Sequence, residues 1–148
     1  MKIRVERIVD LPETEVLIRC QEETDQIKNL VKTIEAIDEK IIAKRGERFA
    51  SLPIRDVFYF ESVDDKTYLY TDKEVFECSL KLYELEENYQ SLGFLRVNKN
   101  TVMNTNKIKT FHSTVNGRMI AKLKNAEEIV ISRTYVSALK LVLGGKLS

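Results

Sequence analysis

One histidine, two cysteines, two prolines and no tryptophan occur in this 148-residue sequence. His112, standing alone, offers little to a histidine-rich metal site or a Ser–His–Asp arrangement, and its neighbours supply no nucleophile or ligand set. Cys20 and Cys78 lie far apart, without CxxC or metal-ligand spacing, so a soluble protein of the reducing cytoplasm is expected. No run approaches 18 consecutive apolar residues, which argues against a helical membrane span. The opening MKIRVERIVDL lacks the long apolar stretch of a signal peptide. Scarce proline and five glycines leave little room for disorder. A P-loop, GxGxxG, GxSxG and HExxH are all absent. The acid pairs Asp64–Asp65 and Glu86–Glu87 read as solvated residues of a turn and a helix surface, not as a cation site. No enzyme, cofactor or metal is expected.

At 43% apolar and 32% charged residues, the chain has the material for about one domain with a real core. Its formal net charge of +1 conceals an uneven distribution. Residues 46–90 hold 5 Lys+Arg against 11 Asp+Glu, whereas residues 91–148 hold 10 against 2. A cationic carboxyl-terminal part of this kind suits a polyanion, or else pairs with the acidic middle.

Residues 2–8 and 15–20 read as short strands, and a helix capped by Thr24 or Asp25 is expected over 25–38. Its apolar stripe is Ile27, Leu30, Val31, Ile34 and Ile37. A short strand at Ile41–Ile42 completes a small β-β-α-β unit. From residue 49 strands dominate: 57–61, 67–70, 75–78, 94–97 and 102–103, with a short helix from Leu80 to about Gln90 ended by Gly93. Asn116–Gly117 predicts a type I′ hairpin joining strands at 108–114 and 118–123. After a last strand at 129–131, Ser132 is expected to cap a helix over about 133–143 that Gly144–Gly145 terminates. Phe58, Tyr59, Phe60, Tyr68 and Tyr70 are expected to serve as core, with the acidic middle turned away from any nucleic acid.

The ordered blocks Phe94-Leu-Arg-Val-Asn-Lys-Asn-Thr-Val-Met-Asn104, Ile108 and Ile131-Ser-Arg-Thr-Tyr135 resemble the LytTR family of bacterial DNA-binding domains. Asp56-Val-Phe-Tyr-Phe-Glu-Ser62, Ser79-Leu80 and Leu85-Glu86 match its upstream blocks, and the likeness covers about residues 46–145. Asn98 stands where the family usually has His, and Asn100 where it usually has Ser. The resemblance implies a mostly β (α+β overall) fold: an elongated β-β-β sandwich whose loops enter the major groove at direct repeats in promoters. It implies DNA contacts at Lys66 and Thr67, at the turn Asn98, Lys99 and Asn100, and at Arg133. Residues 1–45 would form a regulatory and dimerisation unit in place of a receiver domain, with residues 46–148 as the DNA-binding domain. By resemblance, a membrane protein made with the regulator is a candidate inhibitor.

Chemistry of the residues themselves agrees. Arg133 at a helix start would favour phosphate, and its fork can read guanine O6 and N7. Asn98 and Asn100 can pair with adenine, while Lys99, Lys107, Lys109, Lys122 and Lys124 would supply the sequence-independent phosphate term. A DNA-binding transcription regulator acting as a homodimer is the reading. The alternatives are a protein-interaction module driven by the charge asymmetry, and a single-strand or RNA binder using the aromatic strands.

Overall fold

Successive strand side chains point to opposite faces, and that alternation divides this chain between two cores. Phe60 and Val102 face one core, while their neighbours Tyr59 and Met103 face the other. The computed structural model describes residues 1–144. Its strands are β1 (Lys40–Arg45), β2 (Arg48–Pro53), β3 (Tyr59–Val63), β4 (Lys66–Tyr70), β5 (Val75–Cys78), β6 (Phe94–Asn98), β7 (Thr101–Asn104), β8 (Ile108–Ser113), β9 (Met119–Leu123) and β10 (Glu128–Ile131). The helices are α1 (Asp25–Glu35), α2 (Leu82–Tyr89) and α3 (Val136–Val142). The expected mostly-β fold is what forms.

One antiparallel sheet runs in the order β2-β1-β5-β4-β3-β7-β6, and a second in the order β10-β9-β8. Helix α2 covers one face of the large sheet, burying Leu82, Leu85 and Tyr89 against Phe60, Leu69, Phe76 and Phe94. The small sheet and Leu139 of α3 cover the opposite face, but only over its β3–β7–β6 half. Over β1, β2 and β5 that face stays open, leaving Ile42, Phe49 and Val75 exposed. Register places Ile42 opposite Ser51, and Lys44 between Phe49 and Glu77, all on this open face.

Several local expectations give way. No strand forms in residues 1–24, so the expected β-β-α-β unit reduces to α1 and β1. The strand pattern is there, but strand backbone groups need a paired neighbour, and these segments pair with no strand of the chain. Thr24 does cap α1, accepting from the Ile27 N–H at 3.4 Å, and the helix stops at Glu35. The β1–β2 hairpin crosses residues 45 and 46, so the large sheet runs on unbroken between the two expected units.

Asn116–Gly117 does lie in a hairpin, but its loop spans residues 114–118 and only Gly117 has positive φ, +75°. The two-residue turn with both central residues left-handed, as type I′ requires, is Asp64–Asp65 (φ 50° and 63°). Arg133–Tyr135 forms a 3₁₀ turn before α3, and the Ser132 side chain makes no cap hydrogen bond. Arg133 is therefore not at an α-helical N-terminus. Gly144 follows α3 with φ +96°, while Gly145 lies outside the described residues.

Tyr59 and Tyr70 stack with ring centroids 4.2 Å apart, at the margin of the second core. Burial, and then the Glu127 carboxylate, pushes the Tyr59 hydroxyl far above the ordinary 10.0. Burial and then Glu61 raise Tyr70, and burial raises Tyr89 and Cys78. Above about pH 9 the unfolded chain loses protons that the folded chain keeps, so stability is full below that pH and falls as pH rises. Melts from about pH 7 to about pH 11 are expected to show a falling alkaline Tm, with a shallower fall in Tyr59→Phe. A wild-type Tm that holds level through this range would contradict the burial of these hydroxyls.

Candidate nucleic-acid interface

The turn between β6 and β7 is built by its own side chains. Asn98 donates through Nδ2 to the Val130 carbonyl at 2.9 Å, and its Oδ1 accepts from the Asn100 N–H at 2.9 Å. Arg96, which the sequence reading passed over, reaches forward from β6. Its Nε donates to the Asn98 carbonyl at 3.0 Å, and its Nη2 to the Lys99 carbonyl at 2.5 Å. The turn is clamped on both sides, and Lys99 and Asn100 stand exposed at its tip. Asn98 was expected to read adenine, which takes the amide donor and acceptor together. Here one donor and one acceptor lone pair of that amide hold the turn.

Three other connections reach the same end of the molecule. The Ser132 N–H donates to the Val97 carbonyl at 2.9 Å, bringing the β10–α3 junction alongside the end of β6. Exposed Arg133 then lies against the 114–118 hairpin loop: a Cβ added at Gly117 would sit 3.1 Å from Arg133 Cδ. Glycine is needed there both for its positive φ and for the room its missing side chain leaves. The Ser62 N–H donates to the Asn100 carbonyl at 2.8 Å, joining the β3–β4 hairpin to the turn. Its Asp64–Asp65 tip therefore sits beside Asn100, not turned away as the acidic middle was expected to be. The glutamates of α2 do lie across the large sheet from this end.

Of the remaining expected contacts, Lys66 and Thr67 directly follow the Asp64–Asp65 tip at this same end, whereas Lys107, Lys109 and Lys124 lie elsewhere. Lys66 and Thr67 belong to β4 itself, not to a loop. Lys66 Nζ lies 3.9 Å from Glu77, and Thr67 is 7% exposed because its side chain faces the core under α2. Lys107 sits beyond the opposite end of β7, with Nζ 5.0 Å from the Phe58 ring centroid. Lys124 joins it there, its N–H donating to the Lys107 carbonyl at 2.9 Å, and Lys109 is exposed just beyond in β8. Strand rise puts this second cluster roughly 10 Å or more from Lys99. Lys122 is exposed on β9, opposite Glu128.

Arg118 was missed. It is exposed directly after Gly117, and its carbonyl closes the hairpin loop by accepting from the Thr114 N–H at 2.8 Å. A basic residue following an Asn-Gly pair was the available signal. Among the described residues, ion pairs join Arg45 to Glu74 and Lys66 to Glu77, and none engages Lys99, Arg118 or Arg133. This end thus offers three cations on three separate connections, two of them guanidinium groups able to fork onto phosphate or guanine. The aromatic strands offer no comparable platform. Phe58, Tyr59 and Phe60 are buried, and Tyr68 and Tyr70 half-buried. His112 is exposed in β8, and among the described residues no three His, Cys, Asp or Glu side chains gather as metal ligands. No described helix is long and apolar enough to cross a membrane.

Comparison with known proteins gives a concordant picture. The family model described as the LytTr DNA-binding domain matches residues 47–144. Transcriptional regulatory protein YpdB of Escherichia coli K12 is 25% identical over 112 residues, covering 75% of this chain but 46% of YpdB. The chain thus spans about half the length of such relatives. HTH-type transcriptional regulator SAS2254 of Staphylococcus aureus is 22% identical over 142 residues, covering 93% of this chain and 96% of that protein. Among solved structures, a LytTr DNA-binding domain from Bacillus cereus superposes with a TM-score of 0.67 at 24% identity, over 71% of this chain and 96% of that one. The family is one of DNA-binding domains rather than an enzyme class. On a match spanning two-thirds of its residues, this chain belongs to the LytTR family of DNA-binding domains.

Proposed function

We propose that this protein is a transcription regulator that binds double-stranded promoter DNA and reads it with the loops that carry Lys99, Arg118 and Arg133. One observation carries the reading: three exposed cations without acidic partners, on three connections, gathered at one end of a DNA-binding family fold. Lys99 supplies phosphate contact, and Arg133, braced along Gly117, supplies base recognition in the major groove. Asn100 at the turn tip is the amide left to contact a base edge. The Asp64–Asp65 tip beside it repels phosphate and so limits how the duplex can lie across this end. Direct repeats are the target, and two copies, joined through the amino-terminal residues 1–45, occupy two repeats.

Titration of duplexes bearing two spaced repeats, of scrambled duplex and of single strands, at several salt concentrations, tests this. Duplex-selective affinity that falls with log salt is expected. Lys99→Ala should lower the salt slope by about one, equally for all duplexes. Lys107→Ala, at the far end, should change the slope less. Equal binding to single strands, or a larger slope change from Lys107→Ala, would overturn the assignment of the reading end.

A further inference from the structure

Residues 14–20 form no helix, strand or turn, and among the described residues no hydrogen bond ties residues 12–20 to the rest of the chain. They nevertheless carry a strand pattern whose apolar members lie in water, with Val16 62% and Leu17 75% exposed. The same chain holds an unfilled acceptor. Strand β2 ends the seven-stranded sheet, and its outer backbone groups have no neighbour. Beside that edge lies the open sheet face with Ile42 and Phe49, the latter 73% exposed. Free, flat edges of this kind are templates for an added strand, and proteins seldom leave them uncovered.

Charge selects the occupant. The arm carries Glu13 and Glu15 against Arg19, whereas the β1–β2 hairpin is basic, with Lys40, Lys44 and Arg48 against Glu47 beside the Arg45–Glu74 pair. Donor and acceptor belong to one sequence and stay apart within one copy. We propose that two copies of this chain exchange amino-terminal arms, residues 13–20 of each adding as a strand to the β2 edge of the other. Val16 and Ile18, on one side of the added strand, cover Phe49 and Ile42, while Glu13 and Glu15, on its other side, meet Arg48. Reciprocal exchange is two-fold symmetric and closes on itself, so it ends at a dimer rather than a filament. The inference rests on the dimer of the proposed function and not on its reading of DNA.

Sedimentation velocity of the full chain without DNA tests it. Wild type is expected to be dimeric. Glu13→Lys with Glu15→Lys in one variant, and Arg48→Glu in another, should each weaken dimerisation at least about tenfold. Mixed in equal amounts, the two variants should form a heterodimer, because each reversed surface then meets an opposite charge. Only folded chains can give that rescue, so misfolding cannot imitate it. A monomeric wild type overturns both the exchange and the dimer. Variants that dimerise like wild type, or a mixture that stays monomeric, overturn the exchange alone and leave dimerisation by another surface standing.

Discussion

Arg133→Ala is expected to remove the preference for cognate over scrambled duplex while leaving the melting temperature near that of wild type. A guanidinium reading guanine bidentately is worth about 1–3 kcal/mol of discrimination, roughly 5- to 150-fold in relative affinity. The residue is exposed, carries no ion pair among the described residues, and touches the fold through its aliphatic stem beside Gly117. Its removal therefore costs few packed contacts. Competition titrations with cognate and scrambled duplex, paired with a thermal melt, separate the two roles. A drop of many degrees in Tm with the preference intact would make Arg133 a structural residue and transfer base reading to Arg118 or Asn100. Arg133→Lys sharpens the experiment, since it restores charge and phosphate affinity but not the fork.

The largest stability effect is expected at Asn104, in the same sequence block as Asn98 and Asn100. Asn104 is 2% exposed; its Nδ2 donates to the Val57 carbonyl at 2.9 Å and its Oδ1 accepts from the Asn106 N–H at 3.0 Å. Asn106 in turn donates to the Leu92 carbonyl at 2.9 Å, so one buried amide ties β7 both to the approach to β3 and to the segment before Gly93. Truncation to alanine removes two bonds and strands polar groups in a closed interior, a cost of about 2–4 kcal/mol. Tm should fall by roughly 5–15 °C. Duplex affinity measured well below that Tm should stay near wild type, because Asn104 lies at the end of β7 remote from Lys99. Lost affinity with unchanged stability would place Asn104 at the DNA instead.

These two residues also mark how far the sequence reading reached. Hydrophobic alternation in Val57–Phe60 and Phe94–Val97 located the strands within a residue or two, since side-chain period is a local property of the backbone. Gly93, just past Leu92, adopts φ +96° as its place behind an apolar helix required. Three asparagines in one block looked alike, yet Asn98 and Asn104 are bound inward and Asn100 is free. Which way an amide turns depends on the carbonyl that faces it, and those carbonyls, Val130 and Val57, come from segments distant in the chain.

The sequence by itself determined the mostly-β character, the order of elements from β3 onward, and the family to which the chain is matched. All of these follow from side-chain chemistry at short range. Tertiary structure alone decided that Lys99 and Arg133 share an end, that Lys107 lies at the other, and that the strand-patterned residues 2–8 and 15–20 remain unpaired. Such outcomes depend on register and on which edge meets which, and a strand carries no label naming its neighbour until the sheet has assembled.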